Sequence, residues 1–185
     1  MRLLAFGFLI HFLRHGMVFP LIPLYAQSLG AMESHIGFVV SSFHLLSLFL
    51  AIPMGGLVER FGLRPTLACV LLCNSLYSLV LILADSLLLL VLAQVVGGMG
   101  FLCLIIGTQT YVSSHGTDQD RERGFGLITF AAAVGQTLGP ALGGFLVSWA
   151  GYGFVFQTAL VLALLGGISL AMRPQQEEKK KKIQE

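Results

Sequence analysis

Three side chains able to bind or move charge stand together near the start of an apolar run: His11, Arg14 and His15. Spacings of three and four residues place them on one face of a helix. Arg14 lies about 11 residues past the first apolar residue, roughly 16 Å along a helix and near the middle of a bilayer's hydrocarbon. A charge at that depth costs at least about 2.5–3.5 kcal/mol, so it must face protein or a watery cavity. A histidine can carry a proton near neutral pH, and a guanidinium can hold an anionic group. Satisfaction of Arg14 by neighbouring carbonyls is the structural alternative. His44 (with Ser41 one turn away), Gln94, Gln136 and Gln109 are further polar candidates in apolar surroundings.

No catalytic constellation emerges, and no enzyme is expected. His11 and His15 have the spacing of a zinc-binding helix, but Phe12 stands where a metalloprotease needs Glu. No serine sits in a Gly-x-Ser-x-Gly elbow. A membrane haem or metal redox protein using His11, His15 and His44 stays open as a rival, although a bis-His haem pair needs two histidines on each of two spans. Cys69, Cys73 and Cys103 give an odd count and no disulfide framework. They read as small buried hydrophobes, and no metal site is expected.

The elements that would position these groups are membrane spans. Of 185 residues, 56% are hydrophobic and only 11% charged, against about 25% charged in soluble domains. Lipid, not nucleic acid, is the expected surrounding. Six spans are expected, roughly Leu3–Tyr25, Ile36–Leu57, Thr66–Ala84, Leu87–Val112, Phe125–Val147 and Tyr152–Met172. The uncharged stretch from Gly124 to Met172 must hold two of them, since one crossing needs about 20 residues. Trp149, Gly151, Tyr152 and Gly153 mark the reversal. Of the eleven basic residues, all but Arg14 then fall on one side. The positive-inside rule puts that side, with both termini, in the cytoplasm. Residues 1–174 form the six-span bundle. Residues 175–185, with two Glu followed by four Lys, read as a solvated tail or the start of a linker.

A tight charged turn joins the second and third spans: Gly55-Gly56-Leu57-Val58-Glu59-Arg60-Phe61-Gly62-Leu63-Arg64-Pro65. Its glycines are expected to let two helices approach closely. The pair Gly55-Gly56 recurs as Gly143-Gly144, 88 residues on and on the opposite side. That is what an inverted 3+3 repeat predicts. In the fifth span Gly135, Gly139 and Gly143 recur every four residues and form a flat stripe suited to close helix packing, while Pro140 can kink the helix.

The charged turn resembles the signature between the second and third spans of major facilitator superfamily transporters, with Glu59 where the family has Asp and Leu63 where it has a basic residue. Gly135-Gln136-Thr137-Leu138-Gly139-Pro140-Ala141-Leu142-Gly143-Gly144 resembles the antiporter motif of proton-coupled drug exporters in that superfamily. There it implies a packing surface between two six-span halves. Gln94-Val-Val-Gly97-Gly98-Met-Gly100 resembles the fourth-span motif, with Gln94 where Arg is usual; Arg14 would then supply the missing cation.

The resemblance implies an all-α fold, six transmembrane helices forming the N-terminal half of the transporter, with alternating access around a midplane site. It implies export of a small molecule driven by a proton gradient, with no cofactor, in the cell (inner) membrane. A second six-span half, from the same or another chain, would complete it. His11, Arg14, His15, His44, Gln94 and Gln136 become the expected substrate and proton pathway. Uptake or uniport of an organic anion or sugar, and a non-transporting membrane partner, are the alternative readings.

Overall fold

The computed structural model describes residues 2–114 and 117–171. The expected tail, 175–185, lies outside the described residues. All described elements are helices: α1 Arg2–Val18, α2 Leu21–Ser28, α3 Glu33–Phe61, α4 Leu63–Leu83, α5 Leu87–Ser114 and α6 Asp118–Ala171. Five runs among them are long and apolar enough to cross a membrane, the last of 52 residues.

Two boundaries differ from the six expected spans, each for a local reason. The first span is broken at residues 19–20 into α1 and α2, because Pro20 offers no N–H to continue the helical ladder. The last two spans run into one another with no loop. Only Gly151 leaves helical geometry, at φ 79°, a left-handed value that glycine adopts without a Cβ penalty. Contacts with the first span show that this one residue reverses the chain. Gly135, Gly139 and Gly143 meet Leu13, Gly16 and Met17 in ascending order. Beyond the break, Tyr152 and Phe156 meet Tyr25, and Gly166 returns to Ile10. The two limbs of α6 therefore run along α1 in opposite directions. Pro140 lies within the first limb without breaking it.

Gly62 performs the other sharp turn. With φ 80° it ends α3 and starts α4 by itself. Arg60 at the end of α3, Arg64 at the start of α4, and Arg121 and Arg123 at the start of α6 share one end of the bundle; Glu33 and Asp85 lie at the other. The Arg60 guanidinium lies 5.5 Å from the Phe61 ring. The side chain of Glu59 lies outside the described residues. Gly55 and Gly56 do not serve the close approach expected of them: a Cβ at either would meet nothing within 4 Å. Gly144 is likewise open.

The close approaches lie elsewhere. A Cβ at Gly139 would stand 2.5 Å from the Gly16 carbonyl carbon, and one at Gly135 2.5 Å from the Leu13 nitrogen. The stripe is thus filled by α1 of the same bundle, which corrects the expectation that it faces a second half. Gly98 meets the α3 backbone at Phe43 in the same way. Two apolar clusters result. One holds Phe8, Phe12, Leu67, Val70 and Leu104; the other holds Met17, Val18, Leu21, Leu81 and Leu90. Along α1, Arg14 falls between the two clusters, and His11 lies next to Phe12 of the first.

Candidate functional site

α1 carries Arg14 into the bundle, where only 2% of it is exposed. Its Nη2 donates to Asn74 Oδ1 on α4 at 2.7 Å, and its guanidinium carbon stands 5.5 Å from the centre of the Tyr77 ring. The Tyr77 hydroxyl donates to Gln94 Oε1 on α5 at 3.0 Å. The Asn74 amide nitrogen lies 3.4 Å from His11 Nδ1. Five side chains from three helices form one polar chain: His11, Asn74, Arg14, Tyr77 and Gln94.

The donors fix the proton positions. A guanidinium can only donate, so Asn74 must turn its oxygen toward Arg14. Its NH2 then faces His11, whose Nδ1 must accept and whose ring proton must sit on Nε2. Four nitrogens of this group have no hydrogen-bond partner: His11 Nε2, Arg14 Nε, Arg14 Nη1 and Gln94 Nε2. A buried unpaired donor costs about 1–3 kcal/mol, and more when charged. Beside His11 and Asn74 lies a cavity of about 10 Å³, closed by Leu162, Ala163, Gly166 and Gly167, which is at the lower edge of what admits one water. No Asp or Glu stands in the apolar interior of any described helix; the acidic residues lie at helix ends. The centre therefore holds a cation and spare donors without an anion.

Glycine makes this centre possible. A Cβ at Gly97 would come within 2.8 Å of the Tyr77 ring, and one at Gly100 within 3.1 Å of Asn74 Oδ1. The small residues following Gln94 thus leave the space that Tyr77 and Asn74 fill.

The structure separates residues that the sequence placed together. His15 leaves the polar chain and stacks between Phe19 at 5.0 Å and Phe101 at 4.9 Å. Phe43 completes that aromatic group at 5.4 Å. His44 touches its edge through Phe43 and Phe19 and is exposed. Gln136 and Pro140 lie on the exposed side of α6, away from the polar chain. The spacing argument missed Asn74 and Tyr77. The available signal was a lone Asn, with Tyr one turn later, in the uncharged run of α4. Among the described residues no group of three or more His, Cys, Asp or Glu is disposed to hold a metal ion.

The sequence pattern of the Major Facilitator Superfamily matches residues 4–185. The chain belongs to this family. Its members are transporters, and the apolar helices make this chain an integral membrane protein. It is 30% identical over 171 residues to a protein of Shigella flexneri serotype 5b (strain 8401) named "Putative multidrug resistance protein MdtD", and 29% identical to the protein of that name from Escherichia coli O1:K1 / APEC. Each match covers 92% of this chain and 36% of the relative. The chain thus spans about a third of the length of these relatives. The fold is similar to that of the human organic anion transporter MFSD10 (TETRAN), with a TM-score of 0.75 at 22% identity, over 92% of this chain and 46% of that one.

Proposed function

We propose that this major facilitator chain is the N-terminal half of a secondary transporter that exports a small molecule in exchange for protons. The observation that carries the reading is the buried Arg14, a midplane cation with two unpartnered nitrogens and no acid beside it. A charge this costly inside a span is by default a functional one. The multidrug-resistance relatives support the direction of transport. In this reading a second six-span half, from the rest of a longer chain or from another chain, closes the site, and the two halves alternate access. The 175–185 tail begins the linker. The membrane is the cell's inner membrane, with both termini cytoplasmic, since basic residues gather at that end. The proton gradient is the energy source, and no cofactor takes part.

Proton handling falls to His11, whose Nδ1 accepts from Asn74 and whose partner Asn74 also holds Arg14. Adding a proton at Nδ1 removes that acceptor and obliges Asn74 to turn, which disturbs Arg14. Substrate near Arg14 and proton at His11 are in this way coupled through one amide.

The test is dye efflux from vesicles carrying this chain joined to a C-terminal half, driven by an imposed pH gradient. Arg14→Ala should insert normally and lose gradient-driven transport, and Arg14→Lys should restore part of it, since an ammonium lacks the planar fork. His11→Ala should transport with an altered pH dependence. Arg14→Ala working at the parental rate across the pH range would remove Arg14 from the site.

An organic-anion carrier is the second reading. It is favoured by the same four unpartnered nitrogens, all of which suit an acceptor-rich ligand.

A further inference from the structure

The chain has three cysteines, and the fold brings all of them to one place. Cys69 Sγ lies 3.8 Å from Cys73 Sγ, one turn later on α4, and 3.7 Å from Cys103 Sγ on α5. All three are free thiols. The register that joins them is rigid. A Cβ at Gly100 would come within 2.9 Å of the Cys73 Cβ, and one at Gly107 within 2.7 Å of the Thr66 side chain. The α4 and α5 backbones are therefore as close as glycine allows on both sides of the Cys69–Cys103 contact. Cys103 is buried, whereas Cys69 and Cys73 are partly exposed on the flank of the bundle.

We propose that Cys69, with Cys73 or Cys103 as the second sulfur, is a covalent binding site for dithiol-seeking electrophiles of the trivalent arsenical class. An arylarsine oxide condenses with two thiols. Two As–S bonds form and the arsenic–oxygen bond breaks. The oxygen leaves with both thiol protons as water. Arsenic stays trivalent, so the step needs no oxidant or reductant. The first bond forms at a partly exposed sulfur, Cys69 or Cys73, and the second thiol then reacts at the effective concentration of a held neighbour. Two sulfurs suffice for this condensation. An uncharged arylarsine oxide can reach Cys69 and Cys73 from the lipid side. Capture by Cys103 would staple α4 to α5 next to Asn74, the amide that holds Arg14.

The experiment exposes the 185-residue chain, purified in detergent, to phenylarsine oxide. Intact mass and a maleimide count of free thiols after unfolding are the readouts. The expected result is one bound arsenical with two of the three thiols blocked. It should persist in excess 2-mercaptoethanol and leave with 2,3-dimercaptopropanol, as exchange with a chelating dithiol requires. Cys69→Ser should lose retention, and Cys69→Ala should do the same if the hydroxyl disturbs folding. Cys73→Ser and Cys103→Ser should each retain the adduct, while the double variant should lose it. Retention by both Cys69 variants at the parental level would overturn the proposal, as would no adduct on the folded parent.

Discussion

The two sides of α1 are built on opposite terms. Toward α6 the contact is dry and close, with Gly16 set against Gly135 and Gly139 so that backbone lies on backbone. Toward α4 and α5 the contact is polar and incomplete. Arg14 and His11 share Asn74 there, and four nitrogens have no partner. The first side fixes where α1 lies. The second leaves hydrogen-bonding capacity unspent, beside a cavity with room for one water at most. A helix clamped on one side and unsatisfied on the other can hold a charge at a constant depth while keeping donors free for something that arrives.

The sharpest way to break this contrast is to spoil the close side. Gly139→Leu would drive a branched side chain into Gly16 and Met17 backbone, where no rotamer avoids the clash. The cost should reach the upper end of core overpacking, about 3 kcal/mol, or prevent assembly of the bundle. Resistance of the purified chain to unfolding in SDS measures it. Gly144→Leu, one residue beyond the stripe and open on its outer side, is the control and should be near neutral. Equal loss from both substitutions would mean that α6 does not dock on α1 through the stripe.

The polar side should respond less in stability and more in function. Asn74→Leu removes the acceptor of Arg14 and the donor to His11 at once. A hydrogen bond to a charged group contributes about 1.5–3 kcal/mol, and the same unfolding assay should show a loss of that size. Transport in the joined construction should fall with it. Retained stability would show that the Arg14 nitrogens find other partners. A smaller effect is expected from Tyr77→Phe. It keeps the ring beside Arg14 but deletes the hydroxyl that satisfies Gln94 Oε1. The expected cost is about 1 kcal/mol. Tyr77→Leu, which also removes the ring face, should cost more; if the two variants match, the ring contact with Arg14 contributes nothing.

How much of this was legible in the sequence follows the same division. Patterns that act within one helix could be read directly. The apolar runs, the charged turn at Gly62, the reversal at Gly151 and the small-residue stripe in α6 each have a local signature. What a stripe docks against is not local, and α1 rather than a second half fills it. The site was legible in its expensive member, since an Arg in a span announces itself by cost. Its partners were hidden because Asn74 and Tyr77 are ordinary residues until α4 is laid beside α1. His15 was misplaced for a related reason. Spacing of three and four residues sets a face about a third of a turn wide, and that width let His11 turn toward Asn74 while His15 turned to Phe19 and Phe101.

The smallest expected effect on the bundle is the most informative about what lies beyond it. Gly55 and Gly56 have nothing within 4 Å of an added Cβ, so neither the stripe's geometry nor the polar centre depends on them. In a helix interior, alanine is favoured over glycine by about 1 kcal/mol. Gly55→Ala and Gly56→Ala should therefore leave the bundle as stable as before or slightly more so. Both lie on the open face of α3, which is where a second half would gain from small residues. A bulkier Gly55→Leu should then leave SDS resistance of the chain alone unchanged while lowering dye efflux by the joined halves. If transport is also unchanged, the α3 glycines face lipid in both states. If the isolated bundle is destabilised instead, α3 packs on a neighbour within the bundle, and the distinction between glycines that build the half and glycines that serve its partner does not hold.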